Sequence, residues 1–173
     1  ILRVGTSVGG KSTLRTRQKG KKAPTVAKLK KTAWKLLSEC VRREAADYNE
    51  GNNCYTCDAW HKWNSGLLGM HAGHAIPGRG GAVLLDEELI RPQCHYCNAK
   101  PPYGKGGEHL LFATKLIKEK AKELAVRGVF LSDPGRALEW WEAKLVASRQ
   151  VKKWNRSELQ EKIDSYKARL NGL

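Results

Sequence analysis

Four of the five cysteines fall in two C-x-x-C pairs, Cys54/Cys57 and Cys94/Cys97, with 36 residues between the pairs. Each pair puts two thiolates on one side of a tight turn, and two such knuckles close a tetrahedral site that suits a structural zinc ion. Disulfides or free thiols are the alternative. No charged-then-apolar signal segment and no run near the ~20 apolar residues of a membrane span is present, which points to the cytoplasm and favours a metal over disulfides. Residues 50–107, which enclose both knuckles, hold most of the glycine, asparagine and proline and read as the irregular, site-bearing part of the chain.

The charge is distributed unevenly. The net charge is +15, and the first 38 residues carry eleven Lys or Arg with no acidic residue. Such a basic arm calls for a polyanion, nucleic acid first, because releasing condensed counterions drives association. Lys11, Arg15, Arg17, Lys19, Lys21, Lys22, Lys28, Lys30 and Lys31 are the candidate nucleic-acid contacts. Within the arm, GTSVGGKS from Gly5 to Ser12 matches a phosphate-loop pattern, but TLRTRQKGKKAPT after it has no apolar helical face and is broken by Gly20 and Pro24. The match is read as chance.

Four units follow from periodicity: a flexible basic arm at 1–24, an amphipathic helix at 25–50, the zinc-binding core at 51–107 and a helical segment at 108–173. In the first helix Val26, Leu29, Ala33, Leu37, Val41, Ala45 and Tyr48 recur at helical spacing, with Thr25 as N-cap and Cys40 as a buried filler beside the stripe. After Gly107 three helices are expected. The first turns Leu110, Phe112, Leu116, Ile117, Ala121 and Leu124 inward. The second starts at Pro134 after a cap at Asp133, with Leu138, Trp141, Leu145 and Val146 inside. The third is expected to carry a Ser157/Gln160 capping box and to bury Leu159, Ile163, Tyr166 and Leu170. Tryptophans in these helices are read as core.

Between the knuckles, GMHAGHAIPGRGGAVLLDEELIRPQC gives a His, a Gly-rich turn and a return strand into the second knuckle, a hairpin clamped between the two half-sites. Here the chain resembles the HNH, or ββα-metal, nucleases. It is similar in particular to the NinG/Rap recombination nucleases of bacteriophage, from about Trp34 to the end, through C-x2-C, A-G-H, LLDEELIRPQC-x2-CN and a terminal W-x-x-x-E-L-x-x-x-I-x-x-Y-x-x-x-L from Trp154 to Leu170. The resemblance implies an α+β fold with a zinc-clamped, treble-clef-like ββα-metal core flanked by α-helices. It also implies cleavage of branched recombination intermediates such as D-loops and Holliday junctions, leaving 5′-phosphate and 3′-hydroxyl ends.

By the same resemblance His74 is the general base and Asn98 the Mg2+ ligand, with Mn2+ as a possible substitute. A neutral imidazole can take a proton from water near pH 7, and a carboxamide oxygen suits a hard cation. Arg79 or Lys100 would neutralise charge on the phosphate. Three departures stand out. Leu89 occupies the position five before Cys94 where the motif has an Asn, so that loop tether must come from another group. His71 replaces an acid, as a neutral Mg2+ ligand or a hydrogen-bond partner. An extra PPY before GKGG shifts Lys100 and Lys105. His61, His95 and His109 are read as exposed or locally bonded. Two other readings remain open: a zinc-containing DNA-binding protein without catalysis, and an RNA-binding or RNA-cleaving protein. The expected partners are branched DNA and recombination proteins, with a homodimer possible because a four-way junction needs paired cuts.

Overall fold

The structure is a computed structural model, and it describes residues 23–77, 81–126 and 134–173. Most of the basic arm, Lys11 to Lys22 and the GTSVGGKS stretch included, lies outside the described residues, as do Arg79 and Asp133. The fold is α+β, with helices around two small antiparallel sheets. Among the described residues no helix is long and apolar enough to cross a membrane.

Helix α1 runs over Val26–Glu44, with the Thr25 side chain accepting from the Lys28 N–H as expected of an N-cap. Leu29, Ala33, Leu37 and Cys40 form its buried stripe, so Cys40 is the filler its position suggested, its thiol donating to the Tyr166 carbonyl at 3.5 Å. The helix stops well short of Tyr48, which is 94% exposed. Asp47 ends the run: its carboxylate accepts from the N–H groups of Asn49 and Gly51, and Glu50 turns left-handed at φ 59°.

Strands β1 (Gly51–Asn53) and β2 (Trp60–Lys62) make one antiparallel hairpin around the first knuckle. Strands β3 (Met70–His74) and β4 (Ile90–Cys94) make the second, in the register Met70 opposite Cys94 and His74 opposite Ile90. The short helix α2 (His95–Asn98) follows β4 directly and contains Cys97, as the spacing suggested.

One core joins α1, β3, β4 and the terminal helix α5 (Arg156–Asn171) through Leu37, Ala72, Ile90, Trp154, Leu159, Ile163 and Tyr166. Arg169 clasps Glu44 of α1 at 2.7 Å and Glu87 of the 3-10 turn before β4 at 2.6 Å. A second core joins Ala75, Ile76, Val83 and Leu89 to α3 (His109–Val126) and α4 (Pro134–Ser148).

Three helix details differ from the sequence expectation. In α3, Phe112 and Leu116 are buried but Leu110 is 85% exposed, because it lies on the outer side of the first turn. In α4 the inward face is Ala137, Trp141 and Leu145, while Leu138 and Val146 stand half or more exposed. At α5 the capping box is Asn155 with Glu158, two residues before the expected pair. Ser157 and Gln160 instead bond forward to Glu161 and Asp164. Of the tryptophans, Trp154 is buried and Trp34, Trp140 and Trp141 are partly so, whereas Trp60 is 44% exposed.

Candidate functional site

Two knuckles far apart in sequence meet because β1 leads into one and β4 into the other. The Sγ atoms of Cys54, Cys57, Cys94 and Cys97 all lie within 4.8 Å of one another, with Cys57 exposed and the other three buried. Zinc–thiolate bonds of about 2.3 Å in a tetrahedron require sulfur–sulfur edges of roughly 3.8 Å. Cys57 and Cys94 stand at 3.8 Å. Local donors already favour thiolate: the Cys97 N–H donates to Cys94 Sγ at 3.4 Å, and the Thr56 hydroxyl lies 3.3 Å from Cys54 Sγ. Burial works against the Cys54 thiolate, but N–H groups of Cys57, Cys94 and Thr56 with the Thr56 hydroxyl outweigh it and bring that thiol down to about 6. Burial pushes Cys94 and Cys97 up, the cost that a cation among them removes. The set can hold a metal ion such as zinc.

Beside this cluster, β3, β4 and α2 come together as strand, strand and helix. A cleft of about 440 Å3 opens over them, lined by His74, Pro77, Asn98, Lys100, Gly106, Gly107 and His109. Three of the expected site residues, His74, Asn98 and Lys100, therefore share one cavity, and His109, expected to be exposed or locally bonded, lines it too while its Nδ1 lies 3.3 Å from the Ala75 carbonyl.

Each side chain is fixed from behind. His74 stacks on Trp34 of α1 with ring centroids 4.5 Å apart, and its Nε2 lies 3.2 Å from the Leu84 carbonyl. A proton on Nε2 makes that contact a hydrogen bond and puts the ring lone pair on Nδ1. Asn98 Nδ2 donates to His71 Nδ1 at 3.2 Å, which makes Oδ1 its donor atom to a cation. His71 in turn has Nε2 3.1 Å from the Leu67 carbonyl and its ring edge-on to His95. Its two nitrogens thus engage Asn98 and Leu67, the hydrogen-bonding alternative of the two roles expected for it; to take a cation at Nδ1 it must release Asn98.

The segment 99–107 folds back over α2 and holds it. N–H groups of Lys105, Gly106 and Gly107 donate to the carbonyls of Tyr96, Ala99 and Cys97. Gln93, fully buried on β4, donates to the Gly107 carbonyl at 2.8 Å. Lys100 lines the cleft, whereas Lys105 is drawn to Glu108 at 2.7 Å and stands outside the lining. Leu89 is buried in the second core, and its backbone carbonyl accepts from the Ala75 N–H at 2.9 Å. A second, smaller recess of about 200 Å3, lined by Trp34, Arg42, Met70, His71 and Asn98, adjoins the first at Asn98. Lys28 and Lys31 are exposed on α1 and Lys30 is half-buried, on the helix whose Trp34 backs His74.

Comparison with protein-family models, with curated proteins and with solved structures finds no match.

Proposed function

We propose that this chain is a zinc-stabilised, metal-dependent endonuclease that cuts branched DNA, in the manner of the HNH nucleases that its motifs resemble. The observation that carries the reading is the shared cleft. An imidazole with its lone pair on Nδ1, a carboxamide oxygen and a lysine ammonium line one cavity beside a four-cysteine cluster.

His74 Nδ1 takes a proton from water, and the oxygen attacks phosphorus. Trp34 and the Leu84 carbonyl hold the ring in that posture, and the same carbonyl keeps its bond when the ring becomes imidazolium. Lys100 offsets charge on the non-bridging phosphate oxygens. Asn98 Oδ1 is the protein ligand for a divalent cation such as Mg2+, which would supply charge stabilisation for the leaving oxygen. The cysteine cluster, with zinc, ties β4 and α2 to the first knuckle and so fixes the cleft floor. The basic segment before α1 and the lysines on α1 give affinity for the backbone without reading sequence.

A nicking assay with Mg2+ or Mn2+ on a four-way junction, a plain duplex and a structured RNA tests this. The junction is expected to be cut, and His74→Ala to slow cutting about 10²–10⁴-fold while binding persists. Binding without cleavage of any substrate under either metal overturns the nuclease reading. Cleavage of RNA alone transfers it to RNA.

A further inference from the structure

We propose that His109 is the acid that protonates the leaving oxygen, the counterpart of His74 as base; this rests on the nuclease reading above. Both imidazoles line the same cleft, on different supports. His74 leans on Trp34 of α1 and addresses the Leu84 carbonyl through Nε2. His109 addresses the Ala75 carbonyl through Nδ1 at 3.3 Å, so it is anchored one residue along from the base. The two rings are thus bonded through opposite nitrogens. His74 presents Nδ1 to the chemistry and His109 presents Nε2.

The turn before α3 exists in the form that lets His109 sit there. Gly106, Gly107 and Glu108 are all left-handed, at φ 75°, 105° and 49°. A Cβ on Gly107 would lie 2.7 Å from His109 Cε1 and 2.8 Å from Nε2, so the imidazole occupies the space that the missing side chain leaves. His109 is also the first residue of α3.

The step balances. Water gives one proton to His74 Nδ1 as its oxygen bonds to phosphorus. The bond from phosphorus to the 3′ oxygen breaks, and that oxygen takes the proton from His109 Nε2. One imidazole ends protonated and the other neutral, and exchange with solvent restores both.

Sulfur in place of the 3′ bridging oxygen makes a leaving group that needs no proton, and this separates acid from base. The full chain is assayed on a junction with a single 3′-S-phosphorothiolate at the cleavage position mapped on the all-oxygen substrate. His109→Asn is the informative variant, because its amide N–H reaches the Ala75 carbonyl as Nδ1 does while removing the acid. The expected result is a loss of about 10²–10⁴-fold on oxygen and a rate within a few-fold of wild type on sulfur. His74→Asn is expected to be slow on both. Equal loss on both substrates by a His109→Asn protein with wild-type DNA affinity and bound metal overturns the proposal, as does a wild-type rate on oxygen. If wild type cuts neither substrate, the nuclease reading itself falls, and the acid role with it.

Discussion

Gly107 carries two constraints that no other residue could meet. Its φ of 105° is unfavourable for any residue with a side chain, and a Cβ would press on the His109 ring. Gly107→Ala is therefore expected to cost about 1–3 kcal/mol in urea unfolding and to slow cleavage by displacing His109; wild-type stability in that variant would refute the tight packing described. At this scale the sequence exposed the chemistry unevenly. The cysteines were legible because a metal dictates their type and spacing. His74 and Asn98 were singled out through the resemblance to the HNH nucleases, and the structure brings both to the lining of one cleft. His109 was not, since it reaches the cleft only when three left-handed residues fold 99–107 back over α2, a path that no periodicity records.

Among elements, the segment between β3 and β4 is held by charge. Lys144 of α4 meets Asp86 at 2.7 Å and Glu88 at 2.6 Å, and Lys120 of α3 meets Glu88 at 3.0 Å. Burial opposes the Glu88 carboxylate, but bonds from Lys144 and Lys120 outweigh it and bring the group from its ordinary 4.5 to about 2. A depressed folded-state value means that the stabilisation is fully present above 4.5 and drains away as the pH falls toward 2. Glu88 is 48% exposed, so solvent screening reduces the benefit to about 1 kcal/mol. Glu88→Gln should lower stability by that amount at pH 7, and the gap between variant and wild type should close in acid; a gap independent of pH would show that the carboxylate charge is not the cause.

The α5 cap gives a sharper contrast at the same scale. Asn155→Ala should cost about 1 kcal/mol and Ser157→Ala only a few tenths, measured by thermal unfolding, because only Asn155 satisfies a helix-end N–H. Equal losses would restore the Ser157 box. The sequence alone could not choose, since both three-residue spacings offer a cap and a return acceptor. On α4 the expected Trp141 and Leu145 face inward but Leu138 and Val146 do not, for a similar reason: apolar residues surround that helix, and only packing against the rest of the molecule selects among them.

Across the whole molecule, the four-cysteine cluster reinforces a junction that the Tyr55 N–H to Pro92 carbonyl bond and the Gln93 to Thr56 bond also span. It fastens the β1–β2 hairpin to the end of β4 and to α2, while the helical cores lie to either side around Leu37 and Phe112. The local core at the cluster is Met70 with three of the cysteines themselves, so an ion bound there would add folding energy at the two knuckles, whereas Ala72, Ala75, Ile76, Val83, Leu89 and Ile90 are held by the helical cores. The proposed structural zinc and catalytic Mg2+ predict separable losses. Chelation with 1,10-phenanthroline, followed by excess Mg2+, should leave cleavage lost and the two knuckles open to proteolysis, whereas removing Mg2+ alone should stop cleavage with the fold intact. Cys94→Ser should reproduce the first outcome and Asn98→Ala the second, with raised Mg2+ or Mn2+ partly rescuing only Asn98→Ala. Elemental analysis of the purified chain without stoichiometric zinc, or full recovery of the chelated protein by Mg2+ alone, would sink the separation of a structural from a catalytic ion.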